Sequence, residues 1–119
     1  MVSKELTSNA ETAAAFLTVM GNGKRLLIMN YLAAGELSVG TLAEKVDLSQ
    51  SALSQHLAKL RRFGLVETRR DRQIVYYSCK STAARELLAL LDGLLATERP
   101  LAGQHRQYVA ERQRRPQAA

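Results

Sequence analysis

Between Ser49 and Gly64 the apolar residues recur at the spacing of one helical face, and the positions between them are polar without being acidic. At about 100° per residue, Leu53, Leu57 and Leu60 fall on one stripe. Ser51, Gln55, Ala58, Lys59 and Arg62 fall roughly opposite, with Ser54 on the flank. Ser49 stands where an N-cap is wanted, and Gly64, directly after Phe63, stands where a left-handed stop is wanted. The spacing therefore predicts a helix with both ends marked and one face free. A surface helix commonly carries Glu/Lys pairs outward, but this one carries Gln50, Ser51, Ser54 and Gln55, then Lys59, Arg61 and Arg62. Short hydrogen-bonding groups near the start of a helix can meet base edges, and cations further along can meet phosphates.

The segments on either side give this helix a setting. Residues 8–20 are Ala-rich, with Phe16, Leu17 and Met20, and predict a helix whose surface is mostly small-residue packing. Gly21-Asn22-Gly23 breaks it. Residues 24–34 carry Leu26, Leu27, Ile28, Met29, Tyr31 and Leu32, too apolar for a wide solvent face, and predict a helix that crosses the core. After a connection at Gly35-Glu36-Leu37-Ser38, residues 41–46 predict a short helix that can start at Ser38. It leads through Asp47-Leu48-Ser49 into the first-described helix, so the pair makes a helix-turn-helix. Beyond Gly64 the period changes. Residues 65–70 and 73–79 are rich in β-branched and aromatic side chains and flank Asp71-Arg72, which predicts a β-hairpin with a basic tip. Residues 82–97 repeat leucine at helical spacing, more leucine than one small domain is expected to bury. Pro100 closes that region, and residues 99–119 read as a polar, basic, disordered tail after a folded domain over 1–98.

Charge is informative here through its distribution. Residues 1–48 carry four basic and five acidic side chains, residues 49–80 seven and two, and residues 81–119 six and four, within a total net charge of +6. The excess lies on the helix and hairpin, which is the electrostatic footprint expected of a nucleic-acid partner. A single cysteine, Cys79, forms no intrachain bridge and sits in no CxxC or Cys/His cluster, which suits a reducing compartment. The N-terminus lacks an apolar signal core and no stretch is long and apolar enough to span a bilayer, so a cytoplasmic, nucleoid-associated protein is expected.

The order of elements, with Glu36-Leu37-Ser38-Val39-Gly40-Thr41-Leu42 and the run from Leu48 to Leu60, resembles the ArsR/SmtB family of bacterial winged-helix repressors over about residues 10–97. The resemblance implies a mainly α fold with a small β-hairpin, a winged helix-turn-helix. It further implies a cytoplasmic homodimer, built by the first and last helices, that represses transcription by sitting on promoter DNA. Phe16, Leu17, Met20, Leu87, Leu90, Leu91 and Leu94 are the expected dimer contacts. Metal-sensing members carry two cysteines where this chain has Ser38 and Gly40, and the last helix offers only Glu86, Asp92 and Glu98, with His105 beyond Pro100. Oxygen ligands without paired imidazoles make a poor zinc site, so neither metal nor other cofactor is expected. Cys79 reads as a small buried hydrophobe of a strand.

For DNA, Gln55 can make the bidentate contact to adenine, and Ser51 and Ser54 can donate to or accept from several base edges. Gln50, in the first turn, can bond a base or a phosphate. With no Arg in the first two turns, an A·T-leaning operator is expected. His56 lies near the leucine stripe and is expected to pack or to meet a phosphate. Lys59 and Arg62, with Lys24 at the start of the second helix, suit phosphates. In the hairpin, Arg69, Arg70, Arg72 and Gln73 suit the backbone or an adjacent minor groove, with Arg72 the candidate for insertion. Tyr76 and Tyr77 alternate across the strand, so one packs inward and the other offers a hydroxyl; Tyr76 is the expected DNA contact. A two-fold dimer would place its reading helices about 34 Å apart, on an imperfect inverted repeat. No catalytic motif is present. The competing readings are a repressor of the same fold that responds to an effector or a thiol signal, and a protein-interaction module using the Leu-rich last helix.

Overall fold

The computed structural model describes residues 1–97 together with Tyr108 and Val109. The elements are α1 (Lys4–Ser8), α2 (Ala10–Met20), α3 (Gly23–Ala34), β1 (Leu37–Ser38), α4 (Val39–Val46), α5 (Gln50–Arg62), β2 (Val66–Asp71), β3 (Ile74–Cys79) and α6 (Thr82–Ala96). The chain divides within α6 into two compact units, Met1–Arg85 and Glu86–Ala119.

In the first unit the core is made by α3, α4, α5 and the root of the hairpin. Ile28, Met29 and Leu32 of α3, Leu42 and Val46 of α4, and Leu53, Leu57 and Leu60 of α5 are all buried, as are Leu65 and Val66. Each such side chain contributes about 2 kcal/mol by leaving water, so the three leucines of α5 anchor that helix by one face and leave the other to solvent. Side-chain caps mark the helix starts. Asn22 Oδ1 accepts from Arg25 N at 3.1 Å, Ser38 Oγ from Thr41 N at 3.3 Å, Ser49 Oγ from Ala52 N at 3.1 Å and Ser81 Oγ from Ala84 N at 3.0 Å.

Three strands form one antiparallel sheet in the order β1-β3-β2. Leu37 pairs with Tyr77 and Ser38 with Tyr76, so the segment expected as a plain connection is in part an edge strand. Two residues are too few to show a period, and this pairing exists only once β3 is in place. The hairpin turn also lies one residue further on than Asp71-Arg72. Asp71 pairs with Ile74, which leaves Arg72-Gln73 as the loop. Burial of Val66 opposite Cys79 sets this register, because a slip of one residue would turn every side chain to the other face. Arg72 takes φ 59°, in the left-handed region that a two-residue hairpin loop asks of its first position.

Three other expectations change. The expected first helix is α2, and a further short helix, α1, precedes it, closed where Asn9 donates from Nδ2 to Glu5 O at 2.8 Å and from its backbone N to Glu5 and Leu6. Gly23 opens α3 under the Asn22 cap, so the glycine-asparagine-glycine stretch starts a helix as well as ending one. Met20, expected at a dimer interface, is 1% exposed and has no surface to offer a partner, because the last turn of α2 faces inward.

In the second unit, Leu87, Leu88, Leu91 and Leu94 of α6 are half-buried, and Leu90 and Leu95 are exposed. The basic tail expected over 99–119 lies outside the described residues apart from Tyr108 and Val109, which are helical and exposed.

Candidate nucleic-acid interface

Backbone chemistry closes both helices of the corner between α4 and α5. Asp47, at φ 55°, ψ 56°, ends α4; its N donates to Glu44 O and Leu48 N donates to Ala43 O at 3.0 Å, the paired bonds of a Schellman stop. Gly64, at φ 80°, ends α5 the same way, with Gly64 N to Arg61 O and Leu65 N to Leu60 O, both 3.0 Å. Lys24 Nζ donates to Val46 O at 2.6 Å, placing a cation on the C-terminal end of α4, where the helix dipole favours it. The side chain expected to reach a phosphate is thus half-buried and bound to the corner.

From this corner α5 presents Gln50, Ser51, Ser54, Gln55, Lys59, Arg61 and Arg62 to solvent. None of these side chains has a hydrogen bond or ion pair among the described residues, so their donors and acceptors are available to a ligand. No acidic residue occurs anywhere in α5. Beside it, Ser54, Ala58, Arg61, Arg62 and Tyr77 line a shallow depression of about 520 Å³ between the helix and the sheet.

His56 is turned away from this face. Its Nδ1 lies 3.4 Å from Arg25 Nη1; arginine only donates, so Nδ1 accepts and the ring proton sits on Nε2. Burial first, then the charges of Arg25, Lys59 and Lys24, push its pKa below the ordinary 6.5. The same Arg25, only 8% exposed, donates from Nε to Val19 O at 2.5 Å and from Nη2 to Thr18 O at 3.4 Å. It thereby closes the C-terminal carbonyls of α2 against α3 and α5. Nothing in the sequence singles Arg25 out, since it follows Lys24 in a helix and looks like surface charge.

The wing arginines divide into two kinds. Arg69 is engaged. It bonds Glu36 through Nε (3.0 Å to Oε2) and Nη2 (2.7 Å to Oε1), and its guanidinium lies 4.6 Å from the centre of the Tyr76 ring. The hydrogen bond from Arg69 holds the Glu36 carboxyl below its usual range. Arg70, Arg72 and Gln73 are exposed, with no side-chain partner among the described residues. Tyr76 belongs to the Glu36–Arg69 face, and the tyrosine that borders α5 is Tyr77, half-buried on the opposite face of β3. Alternation along the strand showed that the two tyrosines part; which one faces the helix was decided by the register.

Phe16 of α2 is half-buried, its ring 6.2 Å from that of Phe63, and Leu17 beside it is 55% exposed. Cys79 is buried at the end of β3, its Sγ 3.5 Å from Ser81 O. Among the described residues no three His, Cys, Asp or Glu side chains gather as a metal site, and no helix is long and apolar enough to cross a membrane. Ser38 uses its hydroxyl locally, accepting from Thr41 N and donating to Thr41 Oγ1 at 3.0 Å.

Residues 22–68, from the Asn22 cap to Thr68, the third residue of β2, match the family described as "Bacterial regulatory protein, arsR family". The chain is 54% identical over 90 residues to the nodulation protein NolR of Rhizobium meliloti, covering 76% of this chain and 74% of that protein. The crystal structure of NolR from Sinorhizobium fredii superposes with a TM-score of 0.71 at 52% identity, over 79% of this chain and 94% of that one. A solution structure of the homodimeric winged helix-turn-helix DNA-binding domain of Mb0332 from Mycobacterium bovis matches with a TM-score of 0.67 at 28% identity. It covers 82% of this chain and 91% of that one.

Proposed function

The chain belongs to the arsR family of bacterial regulatory proteins, and from that premise we propose that it is a homodimeric repressor that reads an A·T-leaning imperfect inverted repeat in promoter DNA. One observation carries the reading: α5 turns Ser51, Ser54 and Gln55 outward with no side-chain partner among the described residues, on a helix anchored by three buried leucines and free of acidic side chains. The exposed donors and acceptors of such a face can exchange water for base edges. Gln55 is the adenine reader, Ser51 and Ser54 contact flanking edges, and Gln50 serves a base or the adjoining phosphate. Lys59, Arg61 and Arg62 neutralise phosphates. The depression lined by Arg61, Arg62 and Tyr77 is where a backbone strand passes between helix and wing. Arg70, Arg72 and Gln73 extend from the sheet toward the next groove, and Arg69 with Glu36 and Tyr76 holds the wing at its root.

Two copies join through α2 and α6, with Leu17 and the leucines of α6 as contacts, as the exposure of Leu17 and Leu90 supports. The protein acts in the cytoplasm, without cofactor or catalysis. Similarity to NolR makes nodulation genes the first regulon to test. The deciding experiment is selection from a random duplex pool, followed by titration of the winning sequence across salt. An A·T-leaning inverted repeat whose affinity falls steeply with salt is the expected result. Failure to enrich any sequence, with retention of a protein partner through α6, would instead support an interaction module.

A further inference from the structure

On the side of α5 away from the wing lies a second hollow, of about 410 Å³, bounded by α2, α3 and the end of α5 and lined by Thr18, Val19, Arg25, Lys59, Arg62 and Phe63. Two kinds of wall meet there. Val19, Phe63 and the methyl of Thr18 are apolar, whereas Arg25, Lys59 and Arg62 are cations, and no carboxylate is among the lining residues. Lys59 and Arg62 have no ion-pair partner among the described residues, and Arg25 keeps N–H capacity to spare after bonding Thr18, Val19 and His56. The volume falls in the range of small-molecule sites.

We propose that this hollow binds a small amphipathic anion, a carboxylate or sulfonate carried on an apolar ring, and that occupancy releases DNA by engaging Lys59 and Arg62. The ring lies against Val19 and Phe63, and the acid group lies between the three cations. The pKa of neighbouring His56 is lowered first by burial and then by the charges of Arg25, Lys59 and Lys24, with no acid among the contributing groups. The link to DNA rests on the proposed function: Arg62 also borders the depression beside the wing, so an anion in one hollow competes for a cation that faces the other. Both sites are thus joined through the last turn of α5.

The test is a titration of the DNA-free protein with naphthalene-1-sulfonate, followed by amide chemical shifts, with naphthalene-1-methanol as the neutral control. Saturable shifts at Thr18, Val19, Lys59, Arg62 and Phe63 are expected, with the sulfonate binding roughly tenfold or more tighter than the alcohol, as a hydrogen bond to charge implies. Thr18→Glu, which sets a carboxylate on the exposed rim, should weaken the sulfonate several-fold, and Thr18→Gln should not. Equal binding of acid and alcohol, or shifts confined to α6, would each overturn the site. Saturating sulfonate should weaken duplex binding severalfold, and unchanged duplex affinity with the hollow filled would overturn the regulatory half. If no duplex binds at all, the DNA reading fails while the titration still decides the site.

Discussion

Gln55 is the side chain on which discrimination between operators should turn. It is exposed, unpaired among the described residues, and set on the anchored helix so that its amide can offer a donor and an acceptor together. Gln55→Ala should lower affinity for the selected operator by roughly 1–3 kcal/mol and leave binding to unrelated duplex nearly unchanged, as measured by competition titration. Equal loss on both would show that Gln55 does not read sequence. His56 makes a prediction in pH. Its folded-state pKa is depressed, so the unfolded chain takes up the proton first as pH falls. Stability is complete above 6.5 and is lost as pH drops from there through the lower folded value. Chemical denaturation across pH should show this acid slope, and His56→Gln should flatten it. The outward polar face was legible in the sequence because helical period alone assigns it. The roles of Arg25, Lys24, Glu36 and Tyr77 were not, since each depends on an atom 22 or more residues away, or on strand register.

Elements here are delimited by a few capping groups. Ser49 and Gly64, the two punctuation marks of α5, act as their types predict, and the left-handed φ of 80° at Gly64 is where glycine's freedom is needed. Gly64→Ala should cost about 1–2 kcal/mol in thermal or denaturant unfolding, because a Cβ is strained at that φ although nothing crowds it. Asp47 fills the matching position after α4 at φ 55° without being glycine. That stop was not marked by residue type, and Asp is tolerated because its short polar side chain suits the left-handed region. At Gly21 the limit is space: an added Cβ would lie 2.7 Å from Leu17 O. The two-residue strand β1 escapes any reading by period, since its only evidence is the ladder it makes with β3.

For the whole molecule the question is what covers the apolar surface left by one chain. Leu17 is 55% exposed, Leu90 58% and Leu95 56%. With 119 residues and 5% aromatics, a single chain has little core to spare for such exposure. In the proposed dimer these leucines are interface, so Leu90→Glu should shift the protein to monomer in sedimentation and abolish tight operator binding, because one half-site loses the second. Retained dimerisation would exclude α6 as the joint. The net charge of +6, concentrated between residues 49 and 80, should appear as a steep decline of duplex affinity with salt. Arg62→Gln should reduce that slope by about one if the residue meets a phosphate.

The fold class, the helix-turn-helix, the buried and open faces of α5 and the basic wing follow from period, capping residues and charge placement. Those signals are local, written within a few turns of chain, and they survive in one dimension. The tertiary structure alone decided that Met20 is core, that His56 answers to Arg25, that Arg69 is tied to Glu36 while Arg70 and Arg72 have no side-chain partner among the described residues, and that two hollows flank the end of α5. Each of these depends on groups distant in sequence meeting at ångström separations. Side-chain type does not report such meetings, because the same arginine serves equally as a surface charge, a helix cap or an ion pair until packing chooses its neighbours.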